Sequence, residues 1–323
     1  MKAVLYIRPD RFDMAELARR HPAHRFVRVD GAAEAEAEIA DAEMLVTWTS
    51  AYDEAFAAML KTKAPKLRWI QMTTSGVDSI LRAGGFPEGV VVTNSAGLSA
   101  PMIAEHAIAM ALMLAHRLRD YDAAFARRGW ERDIKDRMMS FFRKTVCIVG
   151  VGAIGQETAK RLKPFGMKII GVSRAYKPDD LFEEVYPRAR LKEALARADV
   201  VLVSTIVTAD TVDMINDETL AAMKKGAILV NIARGDLVDE DALYRALRDG
   251  HLTGAALDAT KVEPLPAASP LWTLPNVAIT PHISSGGADN SAVLLDIIDD
   301  NIRRFDAGRP LTRRVDWENM KLG

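Results

Sequence analysis

The hexapeptide Gly150-Val151-Gly152-Ala153-Ile154-Gly155 constrains the fold more than any other segment, because it joins an apolar run, residues 145–150, to an amphipathic stretch, residues 153–164. Gly150 permits a tight turn, Gly152 lets backbone approach a pyrophosphate, and Gly155 lets a helix lie close on a sheet. At the helix start, the N–H groups of Ala153 and Ile154 face the phosphates. Three glycines alone are a weak signal. Here further strand candidates follow at 168–172, 198–204, 227–231, 253–257 and 277–280, with helical patterns at 191–196, 217–223 and 240–248. That rhythm reads as a doubly wound parallel sheet holding a dinucleotide at its glycine turn.

The first hundred residues alternate in the same way. Residues 3–7, 26–29, 44–47, 67–72 and 90–93 are candidate strands separated by Ala-rich or amphipathic stretches, which suggests a small parallel α/β domain. Residues 100–118 read as one long helix, apolar over much of its surface, and the charged run 127–137 follows. Such a helix needs cover on more than one side, between domains or against another subunit, although an ordinary core helix is the competing reading. The last apolar-periodic stretch, 291–305, is too short for a core of its own, so it is expected to return to the first domain. With 323 residues, 49% of them apolar, the chain has material for two cores.

Charge narrows the partners. The 43 basic and 44 acidic residues leave a formal charge of -1, so no whole-molecule field draws nucleic acid or an anionic membrane. The start, Met1 to Asp10, reads as a first strand without the longer hydrophobic segment of a secretion signal, and no run approaches the ~20 apolar residues of a membrane span. A soluble cytoplasmic protein is the expectation, with no metal site. Cys147, inside the apolar run, reads as a buried strand residue and not as a reactive thiol.

The residue that reads the adenosine ribose is expected at the end of the second strand, roughly 20 positions past the glycines. That stretch is Gly171-Val172-Ser173-Arg174-Ala175-Tyr176-Lys177, and no carboxylate occurs before Asp179. A carboxylate would bond a free 2'-hydroxyl and repel a 2'-phosphate, whereas Ser173 and Arg174 donate to the phosphate. NADP(H) is therefore expected over NAD(H), which stays open. Lys177 is a candidate to share the phosphate.

Six further segments carry a resemblance that runs over nearly the whole chain: Ser75-Gly76-Val77-Asp78, Ala104-Glu105-His106, Val230-Asn231-Ile232-Ala233-Arg234-Gly235, Ala256-Leu257-Asp258, Val262-Glu263-Pro264-Leu265-Pro266 and Pro281-His282-Ile283. Together with the glycine motif, in this order and at these separations, they resemble the D-isomer-specific 2-hydroxyacid dehydrogenases, which include glyoxylate and hydroxypyruvate reductases. The resemblance implies a Rossmann domain, 100–286, inserted in a smaller flavodoxin-like substrate domain, 1–99 with 287–323, with a cleft between them. It implies Arg234 as the substrate-binding arginine, Glu263 as the carboxylate partner and His282 as the acid/base. It also implies that Asp258 lies near the nicotinamide carboxamide, that Ile206, Thr211 and Ile232-Ala233-Arg234 line the cofactor with His282 beside them, and that a homodimer forms through residues 100–137.

Chemistry asks for the same residue types. A planar guanidinium grips a carboxylate through two parallel hydrogen bonds, an imidazole exchanges a proton with a carbonyl oxygen, and an ionised glutamate beside it favours imidazolium. Arg234 and His282 each follow a predicted strand end, the edge where ligands bind in this architecture. On the substrate side, Ser75, Gly76 and Val77 follow the fourth strand, where a glycine turn forms a small anion nest beside the carboxylate. Trp48, Thr49, Tyr52 and Met102 are candidates for the pocket around the substrate R group, and Trp130 for either that pocket or a subunit contact. Ile206 stands where many relatives have proline, and the segment after Asp258 lacks the usual aromatic residue. The implied substrate is a small 2-keto or 2-hydroxy acid. A cofactor-sensing, corepressor-like interaction protein is the alternative, against which no partner-binding extension is recognisable.

Overall fold

The computed structural model describes residues 1–8, 11–174, 180–286 and 290–317, residues 78 and 79 by their backbone alone. It divides into two compact units, Met1–Ser99 with Ala288–Asp316, and Ala100–Gly287 with Trp317–Gly323. Trp317 thus groups with the second unit, where the sequence division had placed the whole tail in the first.

In the first unit β1 (Lys2–Tyr6), α1 (Met14–Arg20), β2 (Arg25–Val29), α2 (Ala32–Glu38), β3 (Met44–Thr47), α3 (Glu54–Lys63), β4 (Trp69–Met72), α4 (Asp78–Arg82) and β5 (Val91–Thr93) alternate. The strands pair in parallel in the order β2-β1-β3-β4-β5, the flavodoxin-like order. Every residue of β3 and β4 is buried, as central strands covered on both faces must be. The helix Ser291–Asp306 lays Leu294, Ile298 and Ile302 on the same core as Leu5, Leu17, Val46 and Trp69. Polar pairs fix its direction: His21 Nε2 lies 2.7 Å from Asp299 Oδ1, His24 Nε2 2.8 Å from Asp306 Oδ2, and Arg20 Nη1 2.9 Å from Asp296 Oδ1. Fully buried Asn301 accepts from the Thr312 N–H at 2.8 Å, and the following residues run back beside β5, where Val315 N donates to Val92 O at 3.0 Å.

The second unit contains α5 (Ala100–Ala115), α6 (Leu118–Ala126), β6 (Thr145–Val149), α7 (Ala153–Leu162), β7 (Lys168–Val172), β8 (Glu184–Tyr186), α8 (Leu191–Arg197), β9 (Val200–Val203), α9 (Asp217–Ala222), β10 (Ile228–Asn231), α10 (Glu240–Arg248), β11 (Gly254–Leu257) and β12 (Val277–Ile279). All seven strands are parallel, in the order β12-β11-β10-β9-β6-β7-β8. This is a Rossmann sheet whose direction of winding reverses between β6 and β9. Ala107, Ala111 and Leu114 of α5 share a core with Ile148, Leu202 and Val230 on one face, while α8, α9 and α10 cover the other. The single helix expected over 100–118 is broken at Arg117, whose left-handed backbone, φ 56°, turns the chain into α6. Cys147 is buried, and burial pushes its thiol up to about 12. No described helix is long and apolar enough to cross a membrane.

Candidate active site and cofactor cradle

The register of the second sheet pairs Val149 with Val172 and Val203, Val203 with Asn231, Asn231 with Leu257, and Leu257 with Ile279. One step further along the chain, Gly150, Ser173, Ser204, Ile232, Asp258 and Thr280 therefore leave the same carboxyl edge. Ligands bind at this edge where the winding reverses. The sequence thus delivers its polar residues to one rim by strand length alone.

At the reversal each glycine of the turn has its own physical reason. Gly150 has φ +105°, and a Cβ there would lie 2.6 Å from Thr205 N. A Cβ on Gly155 would meet Gly150 O at 2.3 Å, so α7 sits hard on the turn. Gly152 is different, since a Cβ there would meet no atom within 4 Å. Its missing side chain leaves room for a ligand where no protein atom needs it. The turn opens into a cavity of about 310 Å³ lined by Gly150, Gly152, Ser173, Arg174, Arg188 and Ile206 among others, and among the described residues none of its lining is a carboxylate. Open space over Gly152, helix N–H groups beside it and cationic residues across from it fit the phosphates of a dinucleotide. Residues 175–179, which include Lys177 and Asp179, lie outside the described residues.

At the other end of the edge stand the three residues proposed for chemistry. His282 Nδ1 lies 2.9 Å from Glu263 Oε2 and 3.1 Å from Oε1, and both side chains are more than 40% exposed, so the ring can be reached from solvent. His282 has φ 54°, a left-handed conformation that histidine tolerates better than most residues, and its N–H donates to Asp258 O at 2.8 Å. Glu263 is held by the Thr260 N–H, which donates to Oε1 at 3.2 Å. Arg234 begins the turn after β10, its carbonyl accepting from Asn231 Nδ2 at 2.8 Å and its Nη1 donating to Ala233 O at 2.8 Å. Next to it, a Cβ on Gly235 would stand 2.0 Å from Thr260 C. The turn bearing Arg234 is therefore pressed against the loop bearing Glu263.

Residues 108–284 match the family described as D-isomer specific 2-hydroxyacid dehydrogenase, NAD binding domain. A glyoxylate reductase of Pyrococcus furiosus is 35% identical over 295 residues, 88% of this chain and 85% of that one. A solved D-isomer specific 2-hydroxyacid dehydrogenase family protein of Aeromonas salmonicida is 34% identical with a TM-score of 0.82, covering 98% of this chain and 99% of that one. The chain belongs to the D-isomer specific 2-hydroxyacid dehydrogenases. A third relative, the NADPH-dependent glyoxylate/hydroxypyruvate reductase of Sinorhizobium meliloti, solved with NADP and sulfate, is 26% identical with a TM-score of 0.81 over 98% of this chain and 99% of that one.

As a member of this family the protein is a nicotinamide-dependent oxidoreductase, and its second unit is the NAD-binding domain. Several of its residues are placed differently from expectation. Thr211 is fully buried, and its hydroxyl accepts from Thr208 N at 2.7 Å and donates to Ile206 O at 2.9 Å. It shapes the loop with its polar atom already committed and is not among the residues lining the cavity, whereas Ile206, 47% exposed, is. Asp258 is also interior. Its Oδ1 accepts from Thr280 Oγ1 at 2.6 Å and from Ile283 N at 2.9 Å, and its Oδ2 from Ser284 N at 3.0 Å. Burial alone would push this carboxyl up, but hydrogen bonds from Ser284, Thr280 and the Ile283 N–H more than offset it and hold it below its ordinary value. Thr280, which the motifs did not single out, gives its proton to Asp258, so His106 Nε2, 3.0 Å from Thr280 Oγ1, is the donor there.

In the first unit, Ser75 Oγ donates to Ser95 O at 3.0 Å, while Thr74 Oγ1 and Thr49 Oγ1 donate to Gly76 O at 3.0 and 3.2 Å, which fixes the turn carrying Gly76 and buried Val77. Trp48 packs edge-on against Tyr6 with ring centroids 5.0 Å apart. Tyr52 is core: it is 2% exposed, its ring meets Phe56, and its hydroxyl donates to Gly85 O at 3.1 Å. An interior tyrosine bonded in this way presents no polar group to a pocket. In the second unit Met102 is half-buried on α5, and Trp130 is 91% exposed.

Proposed function

We propose that this dehydrogenase reduces a small 2-keto acid to the D-2-hydroxy acid, taking hydride from NADPH in preference to NADH, with His282 as the acid. The observation that carries the reading is the Glu263–His282 pair, 2.9 Å apart, on the same sheet edge as Arg234 and the glycine turn. The bound nicotinamide supplies the hydride. Arg234 binds the substrate carboxylate through two parallel hydrogen bonds and so fixes the face of the carbonyl. Ionised Glu263 accepts from His282 Nδ1, which keeps a proton on that nitrogen and leaves Nε2 to protonate the carbonyl oxygen as it becomes a hydroxyl. In the oxidative direction Nε2 takes the proton back. Asp258, fully engaged with residues 280–284, holds the loop that aims the ring.

The preference for NADPH rests on Ser173 and Arg174 in a cavity where no described lining residue is a carboxylate, and the Sinorhizobium relative bound to NADP supports it. Glyoxylate and hydroxypyruvate lead the substrate candidates because they are what the relatives' names specify. The test is steady-state reduction of glyoxylate, hydroxypyruvate and a series of bulkier 2-keto acids with each cofactor. Turnover with a higher kcat/KM for NADPH is expected, and Arg174→Ala should raise KM for NADPH more than for NADH. No turnover of any 2-keto acid with either cofactor would reject the reading.

A further inference from the structure

β8 is short, yet it brings a second arginine to the cofactor cavity. β7 and β8 pair in parallel with Ile170 opposite Glu184 and Val172 opposite Tyr186, and the Ser173 N–H donates to Tyr186 O at 3.0 Å, which carries the register past the last pair. Two residues further on each chain stand Arg174 and Arg188. Neighbouring parallel strands lie roughly 5 Å apart, and both arginines line the cavity that contains the glycine turn. Pro187, extended at φ -66°, turns the chain there into a short helical segment.

The other cations of this segment are committed. Arg190 bonds both oxygens of Glu193, with its closest contact at 2.7 Å, and stacks 5.0 Å from the Tyr186 ring centroid. Arg197 bonds Glu184 and the Tyr186 hydroxyl. Arg188 is held more loosely: its Nη1 lies 3.4 Å from Asp210 Oδ2, at the long limit of a hydrogen bond, and the Asp210 side chain is 82% exposed. A solvent-exposed pair of that geometry restrains a guanidinium without saturating it. The Arg188 side chain as a whole is only 23% exposed, so most of it is packed in the cavity wall.

We infer that Arg188 is a second ligand for the 2'-phosphate of NADPH, acting beside Arg174, and that Asp210 is its counter-charge, restraining the arginine until the phosphate arrives. The inference rests on the reading of this cavity as the adenosine end of an NADPH site. A 2'-phosphate carries about two negative charges near neutral pH and accepts from two guanidinium groups more strongly than from one. An unphosphorylated ribose offers Arg188 no anion, so NADH leaves the Arg188–Asp210 pair undisturbed. Asp210 therefore opposes NADPH binding slightly and NADH binding not at all.

The test is calorimetric titration of the whole protein, without turnover, using adenosine 2',5'-bisphosphate and adenosine 5'-monophosphate, which differ only in the 2'-phosphate. Arg188→Gln should weaken the bisphosphate by about tenfold or more and leave the monophosphate within about twofold, as expected for loss of one charged hydrogen bond to that phosphate. Retained monophosphate binding also shows that the variant is folded. Asp210→Asn, far from the core, should tighten the bisphosphate a few-fold without changing the monophosphate. Undiminished bisphosphate affinity in Arg188→Gln, while Arg174→Ala loses it, would overturn the inference and leave the NADPH reading intact. A wild-type protein that binds both probes equally would instead overturn the NADPH reading itself. No gain in Asp210→Asn would remove Asp210 from the arrangement.

Discussion

At the scale of single residues, the site couples two carboxylates to one histidine in different ways. Glu263 meets the ring directly, at 2.9 Å from Nδ1, whereas Asp258 meets backbone and hydroxyl groups of the loop that carries the ring and lies 3.7 Å from His106 Nε2, without touching the ring of His282. Removing each should therefore fail differently. Glu263→Gln keeps the size but replaces an acceptor-only group with an amide that can turn a donor toward Nδ1, so the hold on the ring is lost and kcat for reduction should fall about tenfold or more. Cofactor binding, measured separately, should not change. An unchanged kcat, with the chemical step limiting in both proteins, would reject Glu263 as the group that holds His282 in its working orientation. Asp258→Asn should cost about 1–3 kcal/mol of stability at pH 7, because an amide cannot accept from every donor that now faces the carboxylate. The folded-state value of this carboxyl is depressed, so its contribution is present above the ordinary aspartate value and is lost as pH falls through the folded one. The gap in thermal midpoint between wild type and variant should accordingly narrow from pH 7 toward strongly acidic pH. A gap that held constant across that range would show that Asp258 does not act through its charge.

At the scale of elements, what the sequence disclosed depended on whether local pattern and tertiary need agreed. The β6 strand, glycine turn and α7 helix were legible because an apolar run, three glycines with separate steric duties and an amphipathic helix all point the same way. The positions of Arg234 and His282 on the sheet edge were legible for a related reason, as each follows a strand whose end could be read, whereas Glu263 lies further along the loop after β11 and was reached only through the resemblance. β8 was not legible: Glu-Val-Tyr is three residues long, carries a charge, and lies at the sheet edge where one neighbour suffices. Missing it hid Arg188, since the pairing of β7 with β8 is what brings residues fourteen apart to the lining of one cavity. The break at Arg117 was equally hidden, because it requires an arginine in a left-handed conformation that no propensity favours. Burial misled at Tyr52 and Thr211. Proximity to a strand end suggested a lining role for Tyr52 and the resemblance suggested one for Thr211, but the Tyr52 hydroxyl is bonded to Gly85 O and the Thr211 hydroxyl within its own loop.

At the scale of the whole molecule, a net charge of -1 offers little colloidal repulsion, and the second unit exposes large apolar side chains over one stretch of chain. Leu118, Tyr121 and Phe125 are 48%, 38% and 84% exposed and fall three and four positions apart along α6, on one face of the helix. Trp130 and Phe142, 91% and 60% exposed, follow in the next segment. Isolated apolar residues on a surface need no explanation, but an aligned leucine, tyrosine and phenylalanine, followed in sequence by an exposed tryptophan and a second phenylalanine, are characteristic of an interface. The family resemblance places subunit association in this part of the chain, and we propose that a second copy covers these residues. Light scattering after size exclusion should then give a mass of twice 35.5 kDa at micromolar concentration. Phe125→Asp combined with Trp130→Asp should shift it to the monomer. Because both side chains are exposed within one chain, the substitutions should change the intrinsic stability of the folded monomer by no more than about 0.5 kcal/mol each, and circular dichroism should remain that of the wild type. Any fall in thermal midpoint should then depend on protein concentration in the wild type and not in the variant, as mass action requires for a fold stabilised by association. A wild-type protein that elutes as a monomer throughout the accessible concentration range would reject the dimer and leave the exposed face of α6 without a partner of its own kind.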